Sequence, residues 1–321
     1  MIDLVLRRCG AAWPAAIERA PGIWAILVVL ALAFSVTTDT FLTGPNLTNL
    51  GVQSSILLLL ALPMTLVILS EGIDLSMGGV VALAGMVAAS ALASGASLPT
   101  AFAIGIGCGL VAGLWNGVVV AYLQVPPFVA TLGTLGMAQG LALVMTDGQS
   151  ITNVGDALPA LFSSSLVGIP TPLIIAGVAY WITHFILYRT RFGNAIFAMG
   201  GNREAWRLAG GNVAAVLIGV YAFSGLMVGL TSVMFASRMS AGHPTASLGL
   251  EFDAMAAVAL GGTSFERGNG WLFGTVLGVL AIGVLRNGLN LLGFPSSLQV
   301  ISVGVLVLLA LLLNGLKRQS S

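Results

Sequence analysis

Apolar residues fall in long blocks separated by short polar punctuation, and no acidic or basic residue stands between Asp74 and Asp147. A helix of about 20 apolar residues crosses roughly 30 Å of hydrocarbon. The pattern predicts an all-α polytopic membrane protein, a single domain over 1–321. Its helices are expected at 22–38, 49–70, 75–94, 98–121, 128–146, 170–188, 213–237, 250–264, 270–292 and 295–314, about ten spans. The segment 250–264 is short and contains Glu251 and Asp253, so a re-entrant segment is the other reading of it.

Composition supports that solvent assignment. Of 321 residues, 7% are charged and 57% hydrophobic, against about 25% charged in soluble domains. Too few polar groups exist to face water, so the surface faces lipid. A net charge of +1 without a basic run gives no footprint for nucleic acid. Cys9 and Cys108 are too few and too differently placed for a disulfide framework, and His184 and His243 lie in no metal-ligand spacing. There is no Gly-Lys-Ser/Thr phosphate loop, since Lys317 is the only lysine, and no Gly-x-Ser-x-Gly elbow. ATP hydrolysis by a phosphate loop and intramembrane hydrolysis are thereby excluded. Pro14, Glu18, Arg19 and Pro21 precede the first apolar run, a pattern unlike a cleaved signal peptide.

Basic residues set the orientation. With ten spans, Arg7, Arg8, Arg19, Arg189, Arg191, Arg203, Arg207, Arg267, Lys317 and Arg318 share one side, leaving Arg238 and Arg286 on the other. Both termini are then cytoplasmic, with 1–21 an amino-terminal cytoplasmic segment and 189–212 a cytoplasmic loop. Gly107 and Asn116-Gly117 match Gly278 and Asn287-Gly288 at one offset, and a proline break follows each, Pro126-Pro127 and Pro295. The two spans would run in opposite directions, as inverted repeats do. Ordinary packing glycines are the other explanation.

The acids at span ends are candidates for a path or a structural turn. Asp74, in Glu71-Gly-Ile-Asp74-Leu-Ser76, is expected to cap the helix that follows. Neither it nor the Glu251-Phe-Asp253 pair stands mid-span, so the sequence does not require ion coupling. Asp74 and Asp253, with Asn116, Gln139, Asn287 and Asn290 from apolar runs, are the candidate translocation-path or gate residues; for the four amides interhelical glue is the other role, and the commoner one for such residues. In the polar stretch 189–212, Gly200-Gly201-Asn202 would start a short helix capped by Asn202, with Glu204 in its first turn and Gly210-Gly211 ending it. Ala205, Leu208 and Ala209 would give it a small apolar face. Such a helix is a docking knob for a cytoplasmic partner or a solvated loop; physics alone leaves both open.

Five ordered motifs resemble the permease subunits of bacterial ABC importers for monosaccharides. They are EGIDLSMGGVVALAGM at 71–86, VPPFVATLGTLGMAQGLAL at 125–143, FAMGGNREAWRLAGGNV at 197–213, EFDAMAAVALGGTSFERGNG at 251–270 and GVLRNGLNLLG at 283–293. The resemblance covers roughly residues 50–315. It implies an inner-membrane protein that is not itself an enzyme and holds no cofactor, ATP and Mg being bound by a separate cytoplasmic ATP-binding subunit. It also implies a periplasmic sugar-binding protein and a second permease copy as partners. By the same resemblance, Gly200, Gly201, Asn202, Glu204, Ala205 and Arg207 form the segment that meets the ATPase. The chain departs from the family pattern at Glu71, where glycine is usual, at Trp206, where alanine is usual, and at Phe265-Glu266-Arg267. The expectation is ATP-driven import of a monosaccharide by alternating access; a stand-alone ion-coupled transporter or channel is the alternative.

Overall fold

A computed structural model describes residues 21–264 and 268–319. The early arginines and Cys9, and the Phe265–Arg267 stretch with its basic residue, lie outside the described residues. Helices dominate: α1 (Pro21–Thr37), α2 (Gly44–Leu69), α3 (Met77–Ala93), α4 (Leu98–Tyr122), α5 (Pro127–Val144) and a short α6 (Ala157–Ser163). A small hairpin, β1 (Ser165–Leu166) with β2 (Ile169–Pro170), leads into α7 (Thr171–Arg189), α8 (Arg191–Gly201) and α9 (Arg203–Leu208). Then come α10 (Val213–Met239), α11 (Leu250–Leu260), α12 (Leu272–Leu291) and α13 (Ser296–Gln319).

Among the described residues, α2, α4, α5, α7, α10 and α12 are long and apolar enough to cross a membrane. Gly22–Thr37, Met77–Ala93 and Ser296–Leu309 are shorter apolar helices. The 250–264 segment differs from its expected span. Only eleven residues are helical, about 16 Å of rise, half the hydrocarbon thickness. The left-handed Gly249 (φ 95°) fixes its start, and the ten residues before it are not continuous helix. The second helix also starts earlier than the apolar pattern implies, at Gly44, because Pro45 in its first turn suits helix initiation.

Two sets of four helices repeat along the chain, starting at residues 44, 77, 98 and 127 and again at 213, 250, 272 and 296. The sets interlock: α10 packs on α4 and α3, while α2 packs on α12 and α11, so each set's first helix lies against the other set. Contacts fix the directions. Along α4, Gly105, Gly109, Gly113 and Gly117 meet Gly229, Gly225 and Ile218 of α10 in descending order. Along α12, Thr275 meets Thr65 and Gly283 meets Ser54 of α2. The start of α2 (Gln53, Ser54) shares a cavity with the end of α10 (Phe235, Arg238), and Gly72 just past α2 meets Tyr221 nearer the start of α10. Helices α2 and α10 therefore also run oppositely, so α4 and α12 point in opposite directions.

Within each set the second helix is discontinuous: residues 70–76 precede α3 and 240–249 precede α11. Irregular backbone at membrane depth requires protein around it, and that is met. Leu75 N–H donates to Thr131 Oγ1, the Ile73 carbonyl accepts from Tyr221 Oη, and Gly242 pairs with Ile151. Glu71 sits just past α2 with φ 60°, a helix-ending position that favours glycine. That explains the sequence departure there as a tolerated strain.

Candidate functional site

The two discontinuities meet inside the protein. Ser247 Oγ donates to the Gly78 carbonyl at 2.8 Å, and a Cβ on Gly78 would strike the Glu251 carboxylate. The amino ends of α3 and α11 thus face one another, with Asp74 and Glu251 both 2% exposed. Helix amino ends carry positive potential, which favours these carboxylates.

Asp74 is not the cap of α3 that the sequence leads one to expect. Ser76 holds that position without a side-chain cap bond. Asp74 instead accepts from the Ser76 N–H at 3.1 Å and Oγ at 2.6 Å, and from Ser224 Oγ at 2.8 Å. Because 70–76 folds back into the bundle, Asp74 reaches the middle of α10, not the end of a span. Asn116 continues this network, donating to Ser76 Oγ at 2.9 Å and accepting from Thr134 Oγ1 at 2.6 Å. The network joins α3, α4, α5 and α10 and leaves no polar face free.

The remaining path candidates separate. Asn287 exchanges two hydrogen bonds with Asn46 of α2, at 2.9 and 3.0 Å. Gln139 donates to the Pro244 carbonyl at 2.8 Å, tying α5 to the loop before α11, while its Oε1 is buried without a partner. Asp253 and Asn290 line a cavity of about 290 Å³ between α2, α10, α11, α12 and α13. In it Arg286 Nη2 holds Asp253 at 2.7 Å, while Arg286 Nε is buried and unbonded. Sequence reasoning missed Arg238, Arg286, Gln53 and Gln299 as cavity residues. A signal for two of them existed: Arg238 and Arg286 were the basic residues that the orientation count left on the far side.

At the opposite end of the bundle stand α8 and α9. Asn202 caps α9, its Oδ1 accepting from Ala205 N–H at 2.9 Å, and Gly210 with φ 85° follows its end. Gly200 and Gly201 close α8 instead of opening α9. Every α9 residue except Trp206 is exposed, Leu208 at 76%, so the small apolar face is unburied. Glu204 and Arg207 pair at 2.6 Å on that surface, and this hydrogen bond holds the Glu204 carboxyl below its usual range. Trp206, the unusual residue, lies over Gly211. Gly200 is buried against the end of α2: a side chain there would clash with the Leu69 carbonyl, and the Gly268 backbone is also in contact. Tyr188 Oη, just before α8, accepts from Leu272 N–H at 2.9 Å. The segment therefore touches both helix sets where α2 gives way to 70–76 and where α12 begins.

Opposed helix sets, buried breaks meeting inside the bundle, a polar cavity towards one end and an exposed helix at the other define a polytopic transport protein. The chain belongs to the family described as branched-chain amino acid transport system / permease component, matched over residues 46–311. It is 40% identical over 298 residues to the Escherichia coli K12 ribose import permease protein RbsC, covering 92% of both chains. To the Bacillus subtilis ribose import permease protein RbsC it is 39% identical over 290 residues, 90% of both. The Escherichia coli K12 D-allose transport system permease protein AlsC is 36% identical over 292 residues, 91% of this chain and 90% of the relative. No solved structure matches.

Proposed function

We propose that this chain is the membrane-spanning permease subunit of an ATP-driven importer for a monosaccharide in a bacterial inner membrane. The ribose and allose permeases among its relatives support the substrate class. The observation that carries the mechanism is the contact of the α8–α9 segment with the end of α2 through Gly200. A displacement of α9 by an ATP-binding subunit would be passed by close backbone contact to Leu69, and from there to residues 70–76 and Asp74. Such contact transmits displacement because packed interiors yield little. Gly200, Gly201, Asn202, Glu204, Ala205 and Arg207 are read as the ATPase-facing segment, with ATP and Mg held by that partner.

In this reading the α8–α9 end and both termini face the cytoplasm. The helices α1, α3 and α13 count as spans, and α11 with the loop before it completes the tenth pass. A binding protein delivers sugar at the opposite end, and a second permease copy completes the path. Asp253 and Asn290 are assigned to the solute path, whereas Asp74, Asn116, Gln139 and Asn287 hold helices in register around it. Bound sugar and bound ATP would each favour one arrangement of the two helix sets, which is how alternating access is driven.

Proteoliposomes containing the permease, its ATPase and its binding protein should accumulate one labelled pentose or hexose on ATP addition. Glu204→Ala with Arg207→Ala should abolish that uptake while the permease stays folded. Uptake that proceeds without the ATPase and collapses with an ion gradient would sink this reading.

A further inference from the structure

The orientation count sets Arg238 and Arg286 apart from the other basic residues, and the structure places both in the wall of one cavity of about 290 Å³. Its wall carries one acid, Asp253, and the amides of Gln53, Asn290 and Gln299. Two guanidiniums against one carboxylate leave an excess of one positive charge. Asp253 is already engaged by Arg286. Arg286 keeps a buried Nε without a partner, and Arg238 at the end of α10 makes no ion pair with any described residue. Arg238 is an exposed part of that wall, and a cleft with spare positive charge draws anions to it. A neutral sugar would use only the amides and the paired charges, whereas an anion would also engage Arg238.

We propose that this cavity is a solute subsite for a monosaccharide bearing a carboxylate, a uronate or an aldonate. Arg238 takes the carboxylate, in the forked geometry that guanidinium offers. Gln53, Asn290 and the Asp253–Arg286 pair take hydroxyls. The single excess charge matches a monoanion; a phosphomonoester carries nearly two negative charges and would be under-neutralised. The proposal rests on the reading of the chain as a monosaccharide permease and narrows its substrate class. An anionic lipid headgroup offers Arg238 the same chemistry, and the test separates the two.

Full-length protein in phosphatidylcholine nanodiscs would be titrated calorimetrically with D-glucuronate, D-gluconate, D-glucose and D-ribose. The acids should bind about tenfold tighter than glucose, the equivalent of one added charge-assisted contact. Arg238→Gln should remove that advantage, bringing the acid and glucose affinities together, and Arg238→Lys should restore part of it. Equal binding of acid and neutral sugar, or an acid preference untouched by Arg238→Gln, overturns the proposal. So does an Arg238→Gln effect confined to phosphatidylglycerol retention in mixed-lipid nanodiscs. ATP-driven uptake of labelled ribose that neither acid competes for also overturns it, and leaves the permease reading standing. Carboxylate binding dependent on Arg238, with no ATP-driven uptake of any sugar, instead overturns the permease reading alone.

Discussion

The seam between α4 and α10 and the seam between α2 and α12 occupy matching places in the two helix sets, yet they are built differently. In the first, Gly109 and Gly113 face Gly225 and Gly229, and a Cβ on any of them would fall within 3.0 Å of partner backbone. Two helices at that separation exclude everything else. In the second, Gly283 meets the Ser54 side chain, and the space beyond it is the polar cavity with the Asp253–Arg286 pair. One topology thus yields a closed strut where small residues face small residues, and a chamber where larger polar residues hold the helices apart. In membranes, where lipid is as apolar as Leu, close packing and polar contacts are what associate helices, so the choice between them is made residue by residue.

The strongest attack on this contrast is overpacking the strut. Gly113→Leu should cost about 3 kcal/mol or more, because backbone of Tyr221 and Gly225 cannot move aside; loss of a monodisperse folded peak in detergent would register it. Next comes Asp74→Ala, which strands Ser76 and Ser224 in a dry site and should cost about 2 kcal/mol in thermal unfolding, with Asp74→Asn milder. A smaller change at a glycine of the open seam, Gly283→Ala, meets only the movable Ser54 hydroxyl and should cost about 1 kcal/mol or less. If it matched Gly113→Leu, the two seams would not differ as described.

Smallest in stability, Glu204→Ala on the exposed α9 should leave the melting temperature unchanged while uncoupling ATP hydrolysis from uptake. The hydrogen bond from Arg207 lowers the Glu204 carboxyl, so their pairing is present at neutral pH. It is lost only as pH falls through that lowered value, under the ordinary glutamate range near 4.3. Coupling should therefore be flat across neutral pH; a decline between about pH 8 and 6 would point to another group.

Some of the site was legible beforehand. Asn202, Glu204 and Gly210 form a start-and-stop signature that depends on neighbours within one turn, and α9 follows it. Asn116 and Asn287, noticed as one repeated feature, turn out to serve different partners: Asn116 binds within its own helix set, Asn287 across to Asn46. No local rule could tell them apart, since their partners lie 18 and 241 residues away. Arg238 and Arg286 were visible as exceptions in the charge count, but their common cavity required knowing that α10 and α12 converge on α2.

By itself the sequence determined the solvent, the spans that carry a full apolar block, such as α5, α10 and α12, and the capped helix α9, because hydrophobic length and capping act within a few turns of chain. The tertiary structure alone decided that α2 and α10 cross to the opposite set, that Asp74 lies deep in the bundle, and that 250–260 stops short of a span. Those outcomes depend on which distant surfaces pack and which buried polar groups they satisfy. In a bilayer every such group has to find its partner inside the protein.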